Sequence, residues 1–171
     1  MSGTRRPALA VDQSFPTPVL NALARFVPEV ELVPLRRIDN RLAGLGDREL
    51  VLALGQAGWP GLVTADHKLL RSPATVAALL ATDLAAVVIE GVADDPLRAT
   101  GALLLALPSA LLALAAGQPR IVQVRGGVSS RAHTGELFAR LAVRRRRDPG
   151  ELLAELGVGA DELAAPVLPA R

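Results

Sequence analysis

Short apolar runs alternating with helix-start signals constrain this chain more than any other feature. Residues 8–11, 30–35, 61–65, 85–90 and 120–125 have the length and aliphatic content of strands buried in a sheet. Between them lie Thr17-Pro18, Asp47, Ser72-Pro73 and Asp95-Pro96, each a capping residue or a capping residue before a proline. Strands that alternate with helices predict right-handed crossovers and a mostly parallel sheet covered on both faces.

The first helix is expected to carry Val19, Leu20, Leu23 and Phe26 on one face. A polar loop over 36–46 contains one helical turn near 37–42. Asp47 caps a helix to about Ala57, where Gly58-Trp59-Pro60-Gly61 stops it. Residues 99–118 carry no charge, a length that would suit a membrane span. The segment is rich in alanine, holds Pro108 at its middle and lacks an aromatic belt. The expectation is therefore a buried helix, broken or bent at Pro108, and no membrane.

Beyond Gly126-Gly127 the chain becomes more polar. Phe138, Leu141 and Val143 suggest one amphipathic helix and residues 151–156 another. The expected division is a domain over 7–125 and a C-terminal appendage, helical or flexible, over 126–171.

Composition narrows the chemistry. Of 171 residues half are apolar and 2% aromatic, so the core is aliphatic and base-stacking platforms are not expected. The absence of cysteine excludes disulfides, thiolate metal sites and thiol nucleophiles. The first six residues are polar and basic, and the apolar stretch after them is too short for a signal peptide, which predicts a cytoplasmic protein. A net charge of +2 gives little global pull on nucleic acid, so local charge matters more.

Three aspartates stand where an α/β fold would gather them. Asp12 and Asp66 follow the first and third strands, and Asp47 opens a helix, whose positive dipole end suits a carboxylate. Ligands of open α/β sheets bind beyond the carboxyl ends of the strands. Clustered carboxylates repel one another unless a cation sits among them, and their hard oxygen donors match Mg²⁺ or Mn²⁺.

Val11-Asp12, Gly46-Asp47-Arg48-Glu49-Leu50 and Leu62-Val63-Thr64-Ala65-Asp66 together resemble the PIN-like domain pattern, in particular the compact branch related to toxin ribonucleases of toxin–antitoxin systems. The resemblance covers about 8–125, and its most specific stretch is Leu62 to Leu70. It implies a three-layer α/β/α sandwich and a Mg²⁺- or Mn²⁺-dependent ribonuclease acting on RNA, with a protein antitoxin and a homodimer as partners. Asp12, Asp47 and Asp66 would then be the catalytic, metal-binding carboxylates, with Glu49 an alternate metal ligand. Thr64 matches the family's hydroxyl residue before the third acid. Ser14, Thr64, His67 and Lys68 are the candidate substrate-binding residues.

Three positions depart from the pattern. Lys68 stands two residues after Asp66, where relatives carry an acid, and Gln13 and Ser14 follow Asp12 where an acid and an asparagine are usual. They leave open an alternative, a weak or inactive PIN-like module that binds RNA or a protein. Arg36, Arg37, Arg41 and the run 144–147 are candidate contacts to an RNA backbone. His133 lies in a polar linker, and Asp83, Asp94 and Asp95 read as helix-end residues.

Overall fold

The structure, a computed structural model, describes residues 6–15, 17–23, 25–92, 95–117 and 120–169. The six short apolar and polar strands assemble into one sheet in the order β2-β1-β3-β4-β5-β6. β1 is Ala8–Val11, β2 Glu31–Pro34, β3 Gly61–Thr64, β4 Ala85–Ile89, β5 Ile121–Arg125 and β6 Val128–Ala132. The first five run parallel and β6 returns antiparallel to β5.

The central strands β3 and β4 are buried along their whole length, as both faces are covered. On one face lie α1 (Thr17–Leu23) and α5 (Pro96–Ala116), packed on Leu9, Val11, Val63, Val87, Ile89, Val122 and Val124. On the other lie α3 (Asp47–Gln56) and α4 (Pro73–Thr82), packed on Ala10, Leu62, Ala86, Val88 and Ile121. The result is the three-layer α/β/α sandwich. A short α2 (Leu35–Ile38) and a 3-10 turn (Asn40–Gly44) fill the polar loop before α3.

Right-handed crossovers cannot hold throughout. α4 and α5 both carry the chain one strand in the same direction, yet they lie on opposite faces, so their connections have opposite hand. The face taken by α5 is otherwise covered by the seven residues of α1. Its 21 charge-poor residues bury Ala99, Leu103, Ala106, Leu107 and Ala110 there. The area removed from water outweighs the usual chiral preference.

Pro108 lies inside α5, which continues past it as one helix and is neither broken nor a helix pair. The residue faces solvent, where water can reach the carbonyl that its missing N–H leaves unbonded. No helix among the described residues is long and apolar enough to cross a membrane.

Other local readings meet their caps. Ser72 accepts the Thr75 N–H at 3.3 Å ahead of Pro73. Asp95 Oδ1 accepts from the backbone N–H groups of Leu97 and Arg98, both at 3.0 Å. Asp83 ends α4 in the left-handed region. The capping side chain of Thr17 and residue Asp94 lie outside the described residues.

Three expectations change. Phe26 lies beyond the end of α1 and is 72% exposed. Val143 is exposed as well, because the buried face of α6 (Thr134–Arg144) is Thr134, Phe138, Leu141 and Ala142, the i, i+4, i+7, i+8 set. The expected boundary at 125/126 falls within a hairpin: Gly126 and Gly127, at φ 56° and 80°, form the two-residue turn between β5 and β6. The segment after it continues the domain. α6 and α7 (Pro149–Leu156) bury Phe138, Leu141, Ala142 and Leu152 against Val76 and Ala77 of α4. α8 (Ala160–Ala164) and the residues after it strap α3: Gln56 Nε2 donates to the Leu163 and Ala165 carbonyls and its Oε1 accepts the Val167 N–H at 3.0 Å.

Candidate active site at the sheet switch point

From β1 the chain passes first to β2 on one side and then to β3 on the other, so direction reverses between β1 and β3. Such a switch point opens a crevice beyond the carboxyl ends of the two strands. The register pairs Val11 with Val63, which sets the next residues, Asp12 and Thr64, side by side at its mouth.

Asp12 is held by short-range chemistry. Its Oδ1 accepts the Gln13 N–H at 2.6 Å; its Oδ2 accepts the Thr64 hydroxyl at 3.0 Å and the Ser14 hydroxyl at 3.2 Å. Each hydroxyl also accepts a backbone N–H, Thr64 from Asp66 at 3.0 Å and Ser14 from Ala65 at 3.2 Å. Both capacities of each hydroxyl are used within the crevice wall. Thr64 is buried, at 2% exposure. Thr64 and Ser14, two of the candidate substrate-binding residues, orient Asp12 and tie the β1 loop to the β3 loop.

Asp66 Oδ1 accepts the Lys68 N–H at 2.8 Å and so caps the 3-10 turn His67–Arg71. Asp47 is the first residue of α3, not its cap; Gly46 takes that position. Glu49 turns back to accept the Gly46 N–H at 3.2 Å, an exposed helix-start role that occupies the alternate ligand. Asp47 is half-buried, and its carboxyl is pushed above the ordinary range. Burial is the main cause, followed by the negative charges of Asp66 and then Asp12, with the Lys68 ammonium in partial opposition. Asp47 thus senses the other two aspartates, although a helix N-terminus alone would favour its ionised form.

Carboxylate oxygens are hard donors of the kind a divalent cation takes, and Lys68 relieves their repulsion only in part. Among the described residues no three His, Asp or Glu side chains are grouped closely enough to form a protein ligand shell.

The arginines divide. Arg36 and Arg37 line a cavity of about 380 Å³ together with Asp12, Gln13 and Phe15. Arg41 is folded onto Asp39, with Nη2 at 2.7 Å, and onto the Pro169 carbonyl at 2.9 Å. Arg147 pairs with Glu155 at 2.7 Å. His67 lines two cavities at β4 and β5; Arg71 and Arg125 line both, and Arg140 and Arg144 line one of them. Of these only Arg144 stood out in the sequence. Arg140 and Arg144 lie at i, i+4 on one face of α6, the one available signal for a concentrated positive patch.

Compared with protein-family models, curated proteins and solved structures, the chain matches none of them.

Proposed function

We propose that this chain is a divalent-metal-dependent ribonuclease that hydrolyses RNA phosphodiester bonds. The observation that carries the reading is the charge coupling of Asp47 to Asp66 and Asp12 at the switch point of a parallel sheet. The resemblance to PIN-like toxin ribonucleases supports it and extends it to a cytoplasmic toxin with a protein antitoxin and a homodimeric form.

Asp12, Asp47 and Asp66 would hold Mg²⁺ or Mn²⁺, which supplies Lewis-acid charge to the phosphate oxygens and lowers the pKa of an attacking water. Thr64 and Ser14 fix the Asp12 carboxylate in place through their hydroxyls. Arg36 and Arg37, beside Asp12, offer positive charge to a non-bridging phosphate oxygen. Lys68 brings a further cation close to Asp47.

The test is cleavage of single-stranded RNA by purified protein with Mg²⁺ or Mn²⁺, against Asp12→Asn and Asp66→Asn. Wild type should lose activity in chelator, and each variant should fall by roughly 100-fold or more. Equal rates in all three proteins would sink the reading. Lys68 favours a second one: its charge relieves part of the repulsion that a cation would otherwise relieve, as in a non-catalytic module that binds RNA or protein. Calorimetric titration with Mn²⁺ separates the two, since such a module would show no heat of binding that Asp66→Asn removes.

A further inference from the structure

We propose that the arginine-lined cavity at the β4–β5–β6 end of the sheet binds the phosphate of a nucleotide unit. The site is separate from the three aspartates and needs neither metal nor cleavage. The cavity measures about 380 Å³, within the span of about 300–1,000 Å³ usual for small-ligand pockets. Four arginines face it, Arg71, Arg125, Arg140 and Arg144, against one carboxylate, Glu90, which leaves a net charge of +3.

The carboxylate is already spent. Glu90 Oε2 accepts Arg125 Nε at 2.7 Å and Nη2 at 2.6 Å, and the Glu90 side chain is only 13% exposed. Among the described residues Arg71, Arg140 and Arg144 have no carboxylate within ion-pair distance. They arrive from different elements, Arg71 from the turn after Asp66 and the other two from α6. Their aliphatic stems share the cavity wall with Leu70, Leu137 and Leu141. The charge of Arg144 near a helix C-terminus has a local explanation in the helix dipole. Arg71 ends a separate element, the five-residue 3-10 turn His67–Arg71, so no single helix end gathers both. Guanidinium groups converging on one space without acids repel one another, and a phosphate accepts from them bidentately.

The neighbouring space identifies what carries the phosphate. A second cavity of about 710 Å³ shares His67, Arg71, Glu90 and Arg125 with the first. Its wall beyond those residues includes the apolar Val92, Ala102, Leu105 and Val124, and Arg98, which is ion-paired with Asp95. A charged pocket opening onto an apolar one suits a phosphate attached to a flat, weakly polar base. A free nucleotide and a nucleotide within RNA share that chemistry.

The experiment is calorimetric titration of the full chain in chelator at low salt. Three probes are used: inorganic phosphate, a nucleoside monophosphate, and a single-stranded RNA of ten nucleotides. At least one nucleotide-bearing probe should bind more tightly than inorganic phosphate. Arg140→Glu and Arg71→Ala should each weaken it about tenfold or more, as for loss of a charge-assisted hydrogen bond. Arg147→Glu, outside the cavity, should leave it within about twofold. Binding of the monophosphate assigns the site to free nucleotides; binding of the RNA alone assigns it to a backbone phosphate. The proposal is overturned by no binding of any nucleotide probe, by inorganic phosphate binding equally well, or by Arg147→Glu weakening binding as much as Arg140→Glu. Absence of metal-dependent RNA cleavage by the wild-type chain, with this binding intact, would count against the ribonuclease reading alone.

Discussion

Two regions along the carboxyl edge of one sheet solve opposite electrostatic problems. At β1 and β3 the like charges are negative, and local hydroxyls and backbone N–H groups hold Asp12 and Asp66 in place. At β4, β5 and α6 the like charges are positive, and beyond the Arg125–Glu90 pair the arginines share their cavity with leucines and with the uncharged Gln123 and Ser130. The acids are fixed by neighbours one or two residues away and by one register-matched strand. The arginines are brought together by packing of distant elements. A carboxylate set whose like charge is only partly relieved suits a cation that needs defined geometry, whereas guanidinium groups from separate elements suit an anion that accepts from many directions.

The largest effect expected at the acid end is on catalysis. Asp66→Asn should lower metal-dependent RNA cleavage by about 100-fold or more while RNA binding at the arginine end persists. If that variant instead abolishes binding in chelator, the two regions are one site and the contrast fails. Thr64→Val comes next. It removes the hydroxyl that orients Asp12 and accepts the Asp66 N–H, both inside a buried wall. Activity should fall by about 10- to 100-fold and stability by about 1–2 kcal/mol, read from cleavage rates and from urea midpoints. Full activity in Thr64→Val would mean that Asp12 needs no support.

The difference between the regions also explains what was legible in the sequence. Strand–helix alternation located all five parallel strands to within a residue or so, because burial on both faces writes itself as continuous apolar runs. Asp12, Asp66 and Thr64 could be read because each lies at or just past the end of its strand. The sixth strand could not. Val128–Ala132 is a polar, mostly exposed edge strand with no apolar alternation, and its one signal was the Gly126-Gly127 turn. Phe26 and Val143 misled for the opposite reason: apolar residues just past a helix end or off its buried face satisfy a pattern without joining the core. Arg71 and Arg140 were invisible because nothing in the chain adjacent to either predicts that α6 will pack on α4.

Asp47 sharpens the contrast through stability. Its carboxyl lies above the ordinary range, so the folded chain holds that proton more tightly than the unfolded chain does. Its contribution to stability is fully present at pH below the ordinary aspartate value and is lost as pH rises through the raised one. At neutral pH the ionised group therefore opposes folding. Asp47→Asn should raise the melting temperature of metal-free protein at pH 7, and the gain should shrink as pH falls toward 4. Added Mn²⁺ should stabilise wild type more than the variant, because the ion binds the folded state through these acids. A variant that melts below wild type at pH 7 would show that Asp47 is a favourable helix-start charge rather than a member of a repelling set.

The smallest effect belongs to Arg147, and it decides whether the arginine end is a site or a diffuse charge. Arg147 follows Arg144 closely in the chain and has the same charge. It lies outside the cavity and is turned onto Glu155 at 2.7 Å, with both side chains largely in solvent. An exposed pair of this kind contributes little to stability, since water and salt screen it and two long side chains must be ordered to form it. Arg147→Ala should therefore leave the melting temperature and nucleotide affinity nearly unchanged, whereas Arg144→Ala should leave the melting temperature alone and weaken nucleotide binding. Equal losses of affinity from the two substitutions would make the run 144–147 an unstructured source of charge. A loss confined to Arg144 would instead tie binding to position in the fold, since charge and neighbourhood in sequence are the same for both.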